Sequence, residues 1–246
     1  RTNPMWRKAH ARYHRSNQGG GSWEFYRQIP EVWQIKFNDL EFNLKPMSFK
    51  HTGVFPEQAC NWDLVADIIE KSGRTDVKVL NLFAYTGGAT AAAAAAGASV
   101  CHVDAAKGMV QAAKENLKLS GLEDAPVRYI VDDCKKFVER EIRRGHIYEA
   151  IIMDPPSYGR GPSGEVWKLE NELYGLVKAA SEALCEDPLF FLLNGYTTGF
   201  QASVLSNMLE KCVVSRRGGT VDSEELCLPV TAGGVLPCGT SGRWQK

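Results

Sequence analysis

Two hydrophobic periods alternate along this chain. Apolar, partly β-branched runs of strand length fall at 77–83, 99–103, 127–131, 148–153 and 189–193. Between them, helix formers with one apolar face fill 56–71, 89–96, 107–119, 134–144, 166–185 and 200–209. Pro56 suits the first turn of the first helix, and Trp62, Leu64, Val65, Ile68 and Ile69 supply its buried face. Ser72-Gly73, Gly97 and Ser120-Gly121 are helix stops. Strict alternation of this kind predicts a parallel sheet covered by helices. Two stretches break the rule. Residues 32–44 alternate apolar and polar on either side of Asn38-Asp39, which predicts a hairpin ahead of the main sheet. Residues 212–216 and 224–230, joined by Gly218-Gly219, read as a second hairpin that brings an antiparallel strand into the sheet. Residues 1–28 cluster basic and aromatic side chains around Gln18-Gly19-Gly20-Gly21 and predict an irregular arm.

The ends of the predicted strands carry the chemistry. Gly87-Gly88 stands between the run ending at Phe83 and an alanine-rich helix, at the strand-to-helix turn where α/β sheets bind ligands. The turn does not read Gly-x-Gly-x-x-Gly, and the chain contains no Gly-x-x-x-x-Gly-Lys-Ser/Thr. Pyrophosphate and triphosphate ligands therefore lose support, and a nucleoside without phosphates gains it. One βαβ step later the second strand ends in Asp104, placed to accept both hydroxyls of a ribose or, alternatively, to cap the next helix. Asp132-Asp133 follows the third strand and Asp154-Pro155-Pro156-Ser157-Tyr158 the fourth.

The order of these motifs resembles that of the class I S-adenosylmethionine methyltransferases. Asn-Leu-Phe-Ala-Tyr-Thr-Gly-Gly from Asn81, the upstream His51-Thr52-Gly53-Val54-Phe55-Pro56-Glu57-Gln58 and the Asp-Pro-Pro-Ser-Tyr run are together similar to the large-subunit ribosomal RNA cytosine-C5 methyltransferase-like group, over roughly residues 45–244. The resemblance implies an α/β, Rossmann-like fold with a seven-stranded, mostly parallel sheet and one antiparallel strand. To it the alternation adds an N-terminal β-hairpin extension, giving an arm and hairpin over 1–50 and a methyltransferase domain over 51–246. It further implies S-adenosylmethionine as cofactor, with Asn81, Phe83, Ala84, Tyr85, Thr86 and Gly87 in the cofactor loop, and Asp104 and Ala105 at the ribose. Asp133 stands at the adenine amino group, Phe55 and Gln58 at the methionine end, and Asp154 beside the sulfonium. Asp132 is the alternative to Asp133, and a plain helix start is the alternative for the Phe55 segment.

Duplex stacking hides a base from such a site, so the pocket would take a flipped or single-stranded base, with Tyr158 stacking and Asp154 or the Pro155 carbonyl reading its edge. Methylation at cytosine C5 needs a thiolate to add at C6. Cys101 and Cys212 read as buried fillers, and Cys185 and Cys60 lie at helix ends. Cys238, in Leu236-Pro237-Cys238-Gly239, is the candidate nucleophile: the group carries its cysteine near this point, and the flanks predict an exposed loop. Methylation of an exocyclic amine, held by Asp154 and Pro155, needs no cysteine. A protein side chain or small molecule as substrate, or a non-catalytic assembly factor, are the other readings.

Composition adjusts this picture at the margins. At 246 residues and 44% hydrophobic content the chain can bury a full core. Lys plus Arg equals Asp plus Glu at 29 each, so no global positive field advertises nucleic acid. The N-terminal arm nevertheless holds Arg1, Arg7, Lys8, Arg12, Arg15 and Arg27 against Glu24, and is a candidate for phosphate contact or a solvated tail. Arg140, Arg143 and Arg144 offer a second basic face, and Arg160 a contact from the 159–164 loop. Too few residues precede Val32 for the RNA-binding domain that several members of the group carry. Seven cysteines without a Cys-x-x-Cys pair argue against structural zinc and for a reducing compartment. With no bilayer-length apolar run, the expectation is a cytoplasmic protein acting on RNA, without metal or membrane.

Overall fold

A computed structural model describes residues 3–16, 20–47, 50–160 and 166–246, leaving the Arg160 side chain aside. The sheet is built from β5 (Lys78–Leu82), β6 (Ser99–Asp104), β7 (Val127–Val131), β8 (Ala150–Met153), β11 (Phe190–Gly195), β12 (Thr220–Pro229) and β13 (Val235–Gln245), in the order β12-β13-β11-β8-β5-β6-β7. Inner strands such as Ala150-Ile-Ile-Met153 are buried along their whole length, which is why they read as continuous apolar runs rather than alternating ones. β5 pairs in parallel with both β6 and β8, while β13 runs antiparallel to β11 and to β12. The order reverses at β5, so β5 and β8 border the crevice where ligands enter such sheets.

Helices cover both faces. α1 (Ala59–Ser72), α2 (Gly88–Ala95) and α3 (Lys107–Leu119) pack Trp62, Val65, Ala91 and Leu117 on one side. On the other, α4 (Cys134–Arg144), α5 (Leu169–Glu182) and α6 (Ala202–Leu209) pack Phe137, Val177 and Leu205. The expected fold is therefore observed, including the single antiparallel strand. Among the described residues no helix is long and apolar enough to cross a membrane.

The hairpin expected at 32–44 forms as β3 (Trp33–Phe37) and β4 (Leu40–Leu44), with Asn38 in the turn at φ 51°. It is not a loose appendage: Phe42 is fully buried against Trp62 (ring centroids 5.4 Å), and the backbone N–H of Asn43 donates to Asn116 on α3 at 2.9 Å. The arm before it is not irregular either. β1 (Ala11–Arg15) and β2 (Gly21–Phe25) pair antiparallel, held by an edge-on Tyr13–Trp23 contact across the strands at 5.4 Å. Polar, exposed positions between the aromatics conceal this alternation.

Residues 212–216 were expected as a strand and are helical. Leu205, Leu209, Cys212 and Val213 continue one buried stripe, and a π-helical turn at Glu210–Val214 carries α6 onward. The C-terminal hairpin instead joins β12 to β13, turning at Val230, whose N–H donates to the Gly234 carbonyl at 3.2 Å. Cys238 accordingly lies half-buried within β13 and not in an exposed loop. The long helix expected from residue 166 begins at Leu169, because Val166–Lys168 is a strand, β10, paired with β9 (Tyr158–Arg160).

Candidate active site

The sequence Asn81-Leu82-Phe83-Ala84-Tyr85-Thr86-Gly87 leaves β5 and enters α2 through an unusually bent path. Phe83 and Tyr85 both hold positive φ, 56° and 50°, although neither is glycine. Such backbone persists only where surrounding bonds over-determine it. Here the Ala84 N–H donates to the Val103 carbonyl at 3.1 Å, the Phe83 N–H points at the Cys134 sulfur at 3.3 Å, and the Tyr85 N–H donates to Asp104 Oδ2 at 2.9 Å. Gly87 (φ 85°) completes the turn. A Cβ there would stand 2.9 Å from the Ala113 Cβ of α3, and one on Gly88, which borders the cavity, would stand 2.4 Å from the Trp62 ring, so helix packing requires both glycines.

Asp104 ends β6 with both carboxylate oxygens aimed by backbone, Oδ2 by Tyr85 and Oδ1 by the Ala106 N–H at 2.8 Å. It does not cap α3, whose N-cap is Ala106. Burial raises its pKa, and the two N–H donors work against the shift. Ala105 beside it is exposed. Asp133 does cap a helix: its carboxylate accepts the Lys136 N–H at 2.9 Å at the start of α4. Asp132 is held by Arg140. Arg144 lies 3.7 Å from Glu141, so these arginines serve ion pairs around α4.

At the carboxyl end of the sheet a cavity opens between β5, β8, β11 and the segment before α1. It is lined by Val54, Phe55, Gln58, Trp62, Asn81, Phe83, Ala84, Tyr85, Thr86, Gly88, Ala89, Ile152, Asp154, Leu192 and Asn194. The cavity holds about 50 Å³, and Asp104 joins its wall through the Tyr85 N–H. The walls are built from the loop upward. Asn81 donates to Thr90 at 2.9 Å, Thr86 donates to the Gly53 carbonyl at 2.5 Å, and the Tyr85 hydroxyl reaches Met47 Sδ at 3.3 Å. Phe55 packs its ring 5.3 Å from Tyr85 and 5.8 Å from Tyr196. Gln58 is buried, donates to the Tyr196 hydroxyl at 2.8 Å and accepts from Asn61 at 2.8 Å. Asn61 also donates to Asn194 at 3.1 Å.

Asp154 follows β8 and borders this cavity; burial pushes its carboxyl up to about 7, and the Glu57 carboxylate adds to the shift. Pro155 beside it is buried, while Tyr158 is half exposed on β9. Cys238 faces the same edge. The register of β13 against β12 skips it, with Leu226 opposite Gly239 and Cys227 opposite Pro237, so it occupies a β-bulge, a device that re-aims a side chain beside a site. Burial, then Glu57, pushes its thiol up, which opposes a resting thiolate. A larger cleft, about 350 Å³, lies at the amino ends of β5 and β6 beside Lys78, Arg128 and Tyr148, away from every strand-end carboxylate.

The structure thus brings Phe55, Gln58, Asn81, Phe83, Ala84, Tyr85, Thr86 and Asp154 to one cavity, with Asp104 linked to its wall through the Tyr85 N–H. Asn61, Asn194 and Tyr196 escaped sequence reasoning. Their signal was position alone, since Asn194-Gly195-Tyr196 ends the strand next to Asp154. The donor set also tests the ligand. Among the described residues no lysine or arginine lines the cavity, which fits a nucleoside without phosphates, and a carboxylate sharing the cavity with the Phe55 and Tyr85 rings suits a positively charged group. Among the described residues no cluster of His, Cys, Asp and Glu has a metal-holding arrangement.

Comparison with known proteins agrees with this geometry. Residues 2–174 match the family model of S-adenosylmethionine-dependent methyltransferases. The SAM-dependent methyltransferase from Agrobacterium tumefaciens is 38% identical and superposes with a TM-score of 0.90, covering 98% of this chain and 78% of that one. Ribosomal RNA large subunit methyltransferase K/L of Pseudoalteromonas atlantica is 31% identical over 169 residues, 68% of this chain and 23% of the relative. Ribosomal RNA large subunit methyltransferase I of Shewanella denitrificans is 30% identical over 130 residues, 52% and 32% respectively. The chain therefore spans a third or less of these two relatives. A strand-end carboxylate, a cavity without phosphate ligands, the sheet order and the family match converge: this chain belongs to the S-adenosylmethionine-dependent methyltransferases.

Proposed function

We propose that the chain methylates a base of ribosomal RNA, and that the base is presented to Asp154 and Pro155 through an amino group or ring nitrogen. The observation that carries this is Asp154, a carboxylate at the end of β8 whose pKa is pushed up to about 7. A carboxylate poised near neutrality accepts a hydrogen bond from an N–H and takes up its proton as the nitrogen becomes alkylated. When bound, S-adenosylmethionine supplies a methyl group activated by the sulfonium. Asp104 would hold its ribose hydroxyls, Asp133 its adenine end together with Ala105, and Phe55 with Gln58 its methionine end, fixed by the Tyr196 and Asn61 bonds. The backbone of Phe83 to Thr86 and Gly87 would shape the loop around it. Tyr158 would stack on the substrate base. The ribosomal RNA methyltransferase names of the relatives support RNA as substrate, and with it a cytoplasmic place of action.

Cytosine C5 is the second reading, favoured by the placement of Cys238 on a β-bulge and opposed by burial and the Glu57 charge, which disfavour its thiolate. The two readings divide cleanly. Cys238→Ala with labelled S-adenosylmethionine and ribosomal RNA is expected to retain turnover within about threefold, while Asp154→Asn loses at least about a hundredfold, in the range of general acid–base catalysis. Loss of turnover in Cys238→Ala alone, with cofactor binding intact, would establish the C5 mechanism instead.

A further inference from the structure

The arm folded by β1 and β2 ends in a cleft of about 560 Å³ that the catalytic cavity does not use, lined by Phe25, Arg27, Gln28, Glu31, Lys45 and Pro46 among others. Phe25 is 52% exposed and its neighbour Tyr26 50%, a large aromatic surface to leave in water at a hairpin end. Their backbone is fixed, because the N–H groups of Tyr26 and Arg27 both donate to the His10 carbonyl, at 2.8 and 3.2 Å. The segment that carries them is basic, and Arg27 and Lys45 line the cleft itself. Between residues 3 and 28 the chain carries Arg7, Lys8, Arg12, Arg15 and Arg27 against Glu24, although the whole molecule is neutral. Glu24 is itself occupied by His14 at 2.6 Å and the Tyr26 hydroxyl at 2.7 Å.

The cleft is tied to the active site through the backbone. Lys45 donates its N–H to the Thr52 carbonyl and Met47 to that of His51, so the cleft floor lies along the segment entering Phe55. Met47 then joins the two sites, accepting Trp23 Nε1–H from the arm at its carbonyl (2.8 Å) and the Tyr85 hydroxyl from the cofactor loop at its sulfur (3.3 Å).

We propose that this cleft binds the single-stranded RNA flanking the target nucleotide, with Phe25 stacking on a base and Arg27 and Lys45 meeting its phosphates. Exposed aromatics interleaved with cations are the combination that holds a single strand without reading its sequence, because every base has a π-face and every linkage a charge. Glu31, the one carboxylate among the described residues lining the cleft, opposes a phosphate placed beside it. The inference rests on the RNA reading above.

The test titrates the full chain into a fluorescein-labelled 15-nucleotide oligouridylate, followed by anisotropy at several salt concentrations, with S-adenosylmethionine binding by calorimetry as a control. Phe25→Ala is expected to weaken RNA binding about tenfold. Arg27→Glu with Lys45→Glu is expected to weaken it further and to lower the salt slope by about 1.4, while cofactor affinity stays within twofold. RNA affinity within twofold of the unmodified chain in both variants, with ribosomal RNA still methylated, overturns the cleft and leaves the RNA reading standing. An unmodified chain that binds cofactor but neither binds nor methylates RNA overturns both. Displacement of the oligonucleotide by a polyglutamate peptide of equal charge, at equal concentration, overturns the proposal in favour of an acidic protein partner.

Discussion

Asp154 and Asp104 are both carboxylates at strand ends, yet their surroundings set them to different work. Burial raises the pKa of Asp104 while two backbone N–H donors work against the rise, whereas Asp154 has burial and a like charge pushing the same way. Because Asp154's pKa of about 7 lies above its ordinary value of 3.8, the folded protein keeps a proton between those limits that the unfolded chain has lost. Stability must therefore fall as pH rises through that window, while a reaction needing the carboxylate must speed up. Asp154→Asn is expected to raise the melting temperature at pH 8 more than at pH 5, measured by calorimetry, while the pH dependence of kcat/KM in the unmodified enzyme rises through about 7. A melting temperature lowered at pH 8 would contradict the assignment. Asp104→Ala is expected to weaken S-adenosylmethionine binding at least tenfold, about 1.4 kcal/mol; unchanged calorimetric affinity would remove Asp104 from the ribose site. Both carboxylates were legible in the sequence because each directly ends an apolar run. Asn194 and Tyr196 end one as well, but neither belongs to a motif and neither carries charge. Met47 becomes visible only through contacts made across 24 and 38 residues of chain, with Trp23 and Tyr85.

Among the elements, the β5-to-α2 turn decides most. Two non-glycine residues at positive φ on either side of Ala84 store backbone strain that Val103, Cys134 and Asp104 hold in place. Gly87 is where the turn relaxes, and Gly87→Ala meets both an unfavourable φ of 85° and the Ala113 Cβ at 2.9 Å. The expected cost is about 1–3 kcal/mol in urea unfolding, with α2 and α3 forced apart. Wild-type stability would mean the helix shifts freely and that packing is not what fixes this glycine. Helix and strand types were readable here from period alone. The errors lay where two periods fit the same residues: Cys212-Val213-Val214 is as apolar as a strand, but tertiary packing continues the stripe begun at Leu205. Pro237 and Gly239 signalled a break correctly. What they mark is a bulge inside a strand, and single-sequence reading assigned it to a loop.

For the molecule as a whole, the N-terminal hairpins and the sheet are one packing problem. Phe42 and Leu40 complete the layer that Trp62, Val79 and Ala91 begin, and β4 is bonded to α3 by Asn116 and Ser120. We propose that a fragment restricted to 51–246 holds the catalytic residues but not an independent core. Its melting temperature is expected to drop sharply, since losing Phe42 alone costs about 3–5 kcal/mol. A fragment as stable as the full chain would make 1–50 a separable extension. The alternation of strands and helices made the sheet readable from the chain, but this cover was not, because its partners are separated by more than seventy residues.

The antiparallel strand has a consequence in time. β13 is inserted between β11 and β12, both of which precede it in the chain. In folding, one edge of β11 thus stands open until the β12–β13 hairpin docks and brings Trp244, a fully buried side chain. Before that step the five strands β7, β6, β5, β8 and β11 form a sheet whose β11 edge is available to any other chain.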